Sequence, residues 1–156
     1  MSFRLEITEA SEFFPLRADL LSDEIERSLE PLLGGVDANA VLSCVSNEEM
    51  RELNARYRGL DEATDVLSFP LWEEDGRFVP PTGWDELPLG DVVVSPEFVR
   101  ANAAAENIGY NNEMTRVVAH GVLHLVGYGH DTTERARSMW ELQEGIVARY
   151  EQSKED

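Results

Sequence analysis

HGVLHLVGYGH, residues 120–130, holds every histidine in the chain. The interval from His120 to His124 is one helical turn, so a helix here stacks both imidazoles on one face. Val118, Val122 and Leu125 fall on the opposite face, which predicts an apolar back set into a core and a front left for chemistry. Gly127 and Gly129 follow, and glycine reaches left-handed conformations at little cost. The spacing therefore predicts a sharp turn that returns His130 over the two helical rings. Three convergent imidazoles suit a zinc-type ion, with each nitrogen about 2.0–2.1 Å from the metal. Three protein ligands instead of four leave a coordination position open for water, the mark of a catalytic site. His120, His124 and His130 are thus the candidate ligands of one zinc ion per chain.

The skeleton His-x3-His-x2-Gly-x2-His is that of the metzincin proteases, with one difference. Those enzymes carry a glutamate general base directly after the first histidine. Here that position is Gly121, which has no side chain to accept a proton. The metal cage is kept and the peptidase base is missing, so peptide hydrolysis is disfavoured. Restoring a carboxylate at 121 is expected to give weak peptidase activity at most. Glu113, two turns earlier on the same helical face, can be read as a base or as a solvated or supporting carboxylate.

Around this helix the pattern alternates between helices and short strands. Phe3 to Ile7 alternates apolar and polar residues as a strand does. A helix with Leu20, Leu21, Ile25 and Leu29 ends between Pro31 and Gly35. Ala40 to Val45 reads as a second strand. Ser46 and Glu49 form a capping box for a helix whose inner side carries Met50, Leu53 and Tyr57, closed by Gly59. Val66–Phe69 and Asp91–Val94 are further short strands. Residues 71–90, with three prolines, three glycines and two tryptophans, read as one long connection. Trp72 and Trp84 can stack on bases there or pack the loop onto the body. Ser95 and Pro96 open a helix to about Asn107, the histidine helix runs from about Asn112 to Val126, and a last helix starts near Asp131 with Ala136, Met139, Val147 and Tyr150 inward. The expectation is a single α+β domain over 1–156, with a small mixed sheet of about four strands and five or six helices.

Composition narrows the setting. A chain of 156 residues with 42% hydrophobic content can bury a sizeable core. No apolar run reaches membrane-spanning length, the first residues lack a signal-peptide pattern, and Cys44 is a lone cysteine. The expectation is a cytoplasmic protein without a membrane partner. Acidic residues outnumber basic ones 31 to 13, so nucleic acid is repelled unless cations are concentrated locally. The densest basic cluster is Arg51, Arg56 and Arg58. Arg58 at a helix C-terminus has a structural reason in the helix dipole. It also has a functional one, since guanidinium grips phosphate in bidentate fashion; both readings stand. Asp61, Thr64, Asp65 and Ser68 are read as turn caps.

NARYRGLDEATDVLSFP (54–70), LGDVVVS (89–95) and HGVLHLVGYGH (120–130) occur in this order in the bacterial YbeY-type endoribonucleases, which the chain resembles over roughly residues 40–150. The resemblance implies a zincin-like fold, a zinc ion on the three histidines and cleavage of single-stranded RNA. It further implies maturation of the 3′ end of small-subunit ribosomal RNA, ribosome quality control, and the small ribosomal subunit and assembly GTPases as partners; DNA is not expected. The family's functional arginine falls on Arg58, so the candidate catalytic residues are Arg58 and His120. Two positions depart from the family. Gly129 stands where an aspartate usually precedes the third ligand, with Asp131 one place later as a candidate to orient His130, and Gln143 replaces a glutamate found in many members. Two rivals remain: a ribosome-assembly factor with a structural, four-ligand zinc, and a metallopeptidase.

Overall fold

Strand alternation, helix caps and one bulge set the frame that carries the histidine helix. The computed structural model describes residues 1–9 and 14–154. In chain order the elements are β1 (Phe3–Glu9), α1 (Ala18–Leu33), β2 (Asp37–Cys44), α2 (Asn47–Arg58), β3 (Val66–Pro70), β4 (Glu73–Glu74), β5 (Arg77–Phe78), β6 (Glu86–Val94), α3 (Pro96–Ala105), α4 (Tyr110–Leu125) and α5 (Thr133–Ser153). Four strands form a mixed sheet in the order β1-β2-β6-β3, and β4 and β5 make a separate hairpin. β1, β2 and β6 run parallel, while β3 pairs antiparallel with β6 and forms one border of the sheet. The architecture is the expected α+β domain, with five helices among the described residues.

One face of the sheet is dry. Phe3 and Leu5 of β1 lie opposite Ala38 and Ala40 of β2, and all four are buried. They meet Leu21, Ile25 and Leu29 of α1, Val118 and Val122 of α4, and Ile146 and Tyr150 of α5 in one hydrophobic cluster. On β6 the inward residues are Leu87 and Leu89, then Val92 and Val94. Strict alternation would turn the second pair outward. The register against β2 shifts between Asn39 and Val41, opposite Gly90, whose φ is 137°. A β carbon there would collide with the Phe69 carbonyl oxygen. The bulge needs glycine and resets the alternation, so both pairs serve the same core.

Several expected boundaries move. β6 starts at Glu86, because the bulge makes Pro88 and Gly90 part of a strand instead of a loop. The 71–90 connection also contains the β4–β5 hairpin, whose turn is Asp75-Gly76 with φ values of 51° and 76°. Two left-handed residues in an Asp-Gly pair suit the twist of paired strands. Trp72 packs onto the body and donates from its indole to the Pro88 carbonyl at 2.6 Å, with Trp84 edge-on to it. Tyr57, expected inward, is 60% exposed. Its ring meets Phe69 edge-on instead, so Met50 and Asn54 alone give α2 its buried side.

Candidate metal centre

α4 crosses the sheet with Gly121 facing it. A β carbon at 121 would lie 2.7 Å from Val92 Cγ1 and 3.0 Å from Val66 Cγ2. The Ser68 hydroxyl donates to the Gly121 carbonyl at 2.8 Å, tying the helix to β3. The absent glutamate is thus a packing requirement as well as a chemical loss. A carboxylate at 121 would be driven between two valines, which argues against even the weak activity expected of Gly121→Glu. Gly121→Ala should lower stability by about 1–2 kcal/mol, overpacking outweighing the better helix propensity. Gly121→Glu should leave little folded protein, since it buries a charge without a partner. Thermal melts check both, and an alanine variant as stable as the parent would show that the contact is loose.

The three histidines meet as the spacing predicts. His120 Nε2 lies 2.9 Å from His124 Nε2 and 3.4 Å from His130 Nε2. Among the described residues these three form the one His, Cys, Asp or Glu group close enough to share an ion. Nitrogens set tetrahedrally about zinc would stand about 3.3–3.4 Å apart; the 3.4 Å pair matches that, the 2.9 Å pair is tighter, and all three donor atoms lie within 4.8 Å of one another. The outer nitrogens show that the rings are aimed. His124 Nδ1 is 2.8 Å from the Tyr128 carbonyl oxygen, which can only accept, so this nitrogen carries the proton and Nε2 presents a lone pair. His120 Nδ1 is 2.8 Å from Gln143 Oε1. The Gln143 amide is oriented in turn, because its Nε2 donates to Glu144 Oε2 at 3.2 Å. Burial pushes the pKa of His120 down and that of His124 down to about 4, the latter helped by the neighbouring His120. Two rings kept neutral by burial, with a third beside them, could hold a cation.

Gly127 makes the return turn, with φ at 93° and the backbone of Phe78 where a side chain would go. Gly129 does not take the left-handed region expected of it; Arg135 Nη2 lies against it instead. Arg135 also donates to the Gly127 carbonyl and pairs with Asp131 at 3.0 Å. Asp131 is therefore engaged by Arg135 and does not take the role of orienting His130. Glu113 is not in the cleft either: it is buried and pairs with Arg116 at 3.0 Å. Arg116 also grips Glu144 at 2.7 and 2.8 Å, so the residue behind Gln143 is itself held. Sequence reading marked Gln143 only as a departure and missed Glu144 and Arg116, because the partner of His120 comes from another helix.

A cleft of about 670 Å³ opens over the histidines, lined also by Arg58, Thr64, Asp65, Ser68 and Tyr128. Arg58 is the last residue of α2, and Gly59 turns the chain away in the left-handed region. Arg58 reaches this cleft without an ion-pair or hydrogen-bond partner among the described residues, whereas Arg51 is held by Asp61 at 2.7 and 3.0 Å. Asp65 accepts from its neighbour Val66 N at 2.7 Å and from Thr64, the turn-capping expected of it.

The sequence matches the family described as endoribonuclease YbeY over residues 8–151. An endoribonuclease YbeY from Desulforamulus reducens is 40% identical over 83% of this chain and 84% of its own. One from Geobacillus kaustophilus is 43% identical over 72% and 73%. The solution structure of TM1509 from Thermotoga maritima superposes with a TM-score of 0.61 and 31% identity, covering 94% of this chain and 88% of the other. Matched over most of its length and carrying three convergent imidazoles beside a mixed sheet, the chain belongs to the endoribonuclease YbeY family.

Proposed function

We propose that this protein is a zinc-dependent endoribonuclease that hydrolyses single-stranded RNA, its biological substrate being small-subunit ribosomal RNA near the 3′ end. The observation that carries the reading is the trio of convergent imidazole nitrogens in a cleft shared with an arginine that has no partner among the described residues. When bound, zinc polarises a phosphoryl oxygen and lowers the pKa of a water to about 7. Arg58 offers a two-pronged donor to the non-bridging oxygens of a phosphodiester and stabilises the added charge of the pentacoordinate transition state. His120 and His124, fixed by Gln143 and the Tyr128 carbonyl, keep the reacting face in one geometry. The small ribosomal subunit and an assembly GTPase are the partners that fit this role, in the cytoplasm. No helix among the described residues is long and apolar enough to cross a membrane.

The rival readings are weaker. A structural zinc needs a fourth protein ligand, and Asp131 is bound to Arg135 instead. A peptidase needs a carboxylate where Val92 and Val66 leave no room. The deciding experiment incubates zinc-loaded protein with an RNA spanning the 3′ end of the small-subunit ribosomal RNA precursor, with and without chelator, beside His124→Ala. Cleavage should stop with chelator, return with zinc and be absent in the variant. RNA left intact by the loaded protein would refute the reading.

Gln143→Leu removes the acceptor for His120 Nδ1 while keeping the volume. Zinc affinity should fall about 10- to 100-fold, the usual cost of losing the group that orients a ligand. Chelator competition measures it, and Gln143→Glu should retain tight binding because a carboxylate accepts equally well. Equal affinity in Gln143→Leu would mean the contact does not orient the ring.

A further inference from the structure

The cations of this acidic chain are distributed unevenly. Arg4, Arg17, Arg27, Arg51, Arg116, Arg135, Arg149 and Lys154 each pair with a carboxylate. The side chains of Arg56, Arg58, Arg77 and Arg137 make no ion pair or hydrogen bond among the described residues. In a protein of net charge −18, neutralising partners are abundant, so a cation left bare beside a cleft is available to an outside anion. Arg58 lies in the histidine cleft. Arg137 lies in an adjoining groove whose walls include His120, His130 and Gln143. The two grooves share both histidines, so Arg58 and Arg137 line adjoining grooves that meet at the histidine cluster.

That second groove holds an unburied aromatic. Trp140 is 60% exposed and follows Arg137 by three residues on α5, which puts the two on one helical face. Ala136 and Met139 supply the apolar remainder of the groove. The nearby Glu144 is already neutralised by Arg116. An indole face, a bare guanidinium and an apolar floor next to a phosphodiester-cleaving centre form the combination that binds single-stranded nucleic acid: a stacking platform beside a phosphate contact.

We propose that Trp140 and Arg137 form a nucleotide subsite, in which the indole stacks on a base of single-stranded RNA flanking the scissile bond and Arg137 holds that nucleotide's phosphate. This rests on the ribonuclease reading above and adds to it the direction in which the strand leaves the metal, over α5. Stacking on an indole is tolerant of base identity, so the subsite requires a base and does not choose among bases.

The test uses zinc-loaded full-length protein with two single-stranded RNAs of equal length, an oligouridylate and the same strand with abasic residues. Trp140→Ala should bind the oligouridylate about 5- to 100-fold more weakly, the range for losing one stacked base. It should bind the abasic strand as the parent does. Trp140→Phe should recover most of the affinity. Arg137→Ala should weaken both strands and flatten the dependence on salt by about one counterion. In cleavage assays the Trp140→Ala loss should fall mainly on KM. Thermal melts serve as the folding control, and an exposed side chain should move them little. A parent that cleaves RNA while Trp140→Ala keeps full affinity overturns the subsite alone. A parent that neither binds nor cleaves RNA overturns the ribonuclease reading and the subsite with it. Unchanged RNA affinity with lost binding to small ribosomal subunits would assign Trp140 to a protein surface and also overturn it.

Discussion

A chain carrying His120→Ala and His124→Ala together should bind no zinc and cleave no RNA. Both rings are held neutral by burial and aimed at one point by the Tyr128 carbonyl and the Gln143 amide. With both gone, only the exposed His130 remains, and one imidazole cannot hold the ion against water. Stability gives a readout independent of activity. Zinc at a hundredfold excess over its dissociation constant stabilises the parent by about 2.7 kcal/mol, which for a chain this size raises Tm by roughly 5–10 °C. The variant's melting temperature should not respond to zinc. Metal analysis with unchanged occupancy would reject the three-histidine site.

The same burial sets a pH dependence. An unfolded histidine protonates near 6.5, while folded His124 resists to about 4 and folded His120 is shifted the same way. Between those values the unfolded chain binds more protons, so the unloaded protein loses stability as pH falls from about 6.5 towards 4. Protons also compete less well with the metal at these two rings than at free imidazole. A zinc titration across that window follows both effects.

Arg58→Ala should keep zinc and fold and lose RNA cleavage by about a hundred- to a thousandfold, equivalent to roughly 2.7–4 kcal/mol of transition-state stabilisation. The side chain stands at the exposed end of α2 with no carboxylate to leave stranded, so its removal should shift Tm by no more than the modest helix-dipole contribution. Because its proposed role lies in the transition state, the loss should fall on kcat more than on KM. Arg58→Lys should recover part of the rate, since lysine keeps the charge and loses the fork. Cleavage by Arg58→Ala at the parent rate would remove Arg58 from the mechanism.

The cluster of three histidines was legible because it is local: two histidines one turn apart and a third across a glycine turn need no tertiary information. Most elements were legible too, since β1 and α4 carry their apolar period in their own residues and α2 carries its capping box as well. What orients the site was not. Gln143 meets His120 from 23 positions away, and no local pattern points one side chain at another across two helices. Tyr57 misled because an aromatic at helical spacing reads as core, whereas here it covers Phe69 at the surface. The Asp75-Gly76 turn was readable, and was hidden by the prolines and glycines that made 71–90 resemble one loop. Gly121 was read for the chemistry it lacks, while its closest constraint is the sheet behind it.

The bulge at Gly90 gives the chain an unequal tolerance of changes in length. Residues added at the tip of the β4–β5 hairpin are absorbed in solvent and leave β6 where it is. Losing one residue at Gly90 is different, because the alternation would no longer reset and Val92 would trade places with a neighbour. The ridge on which α4 rests would then rotate away from Gly121, and the two helical histidines would shift with it. Over evolutionary time, insertions and deletions should therefore gather in the hairpin and avoid β6, where the bulge fixes the count of residues.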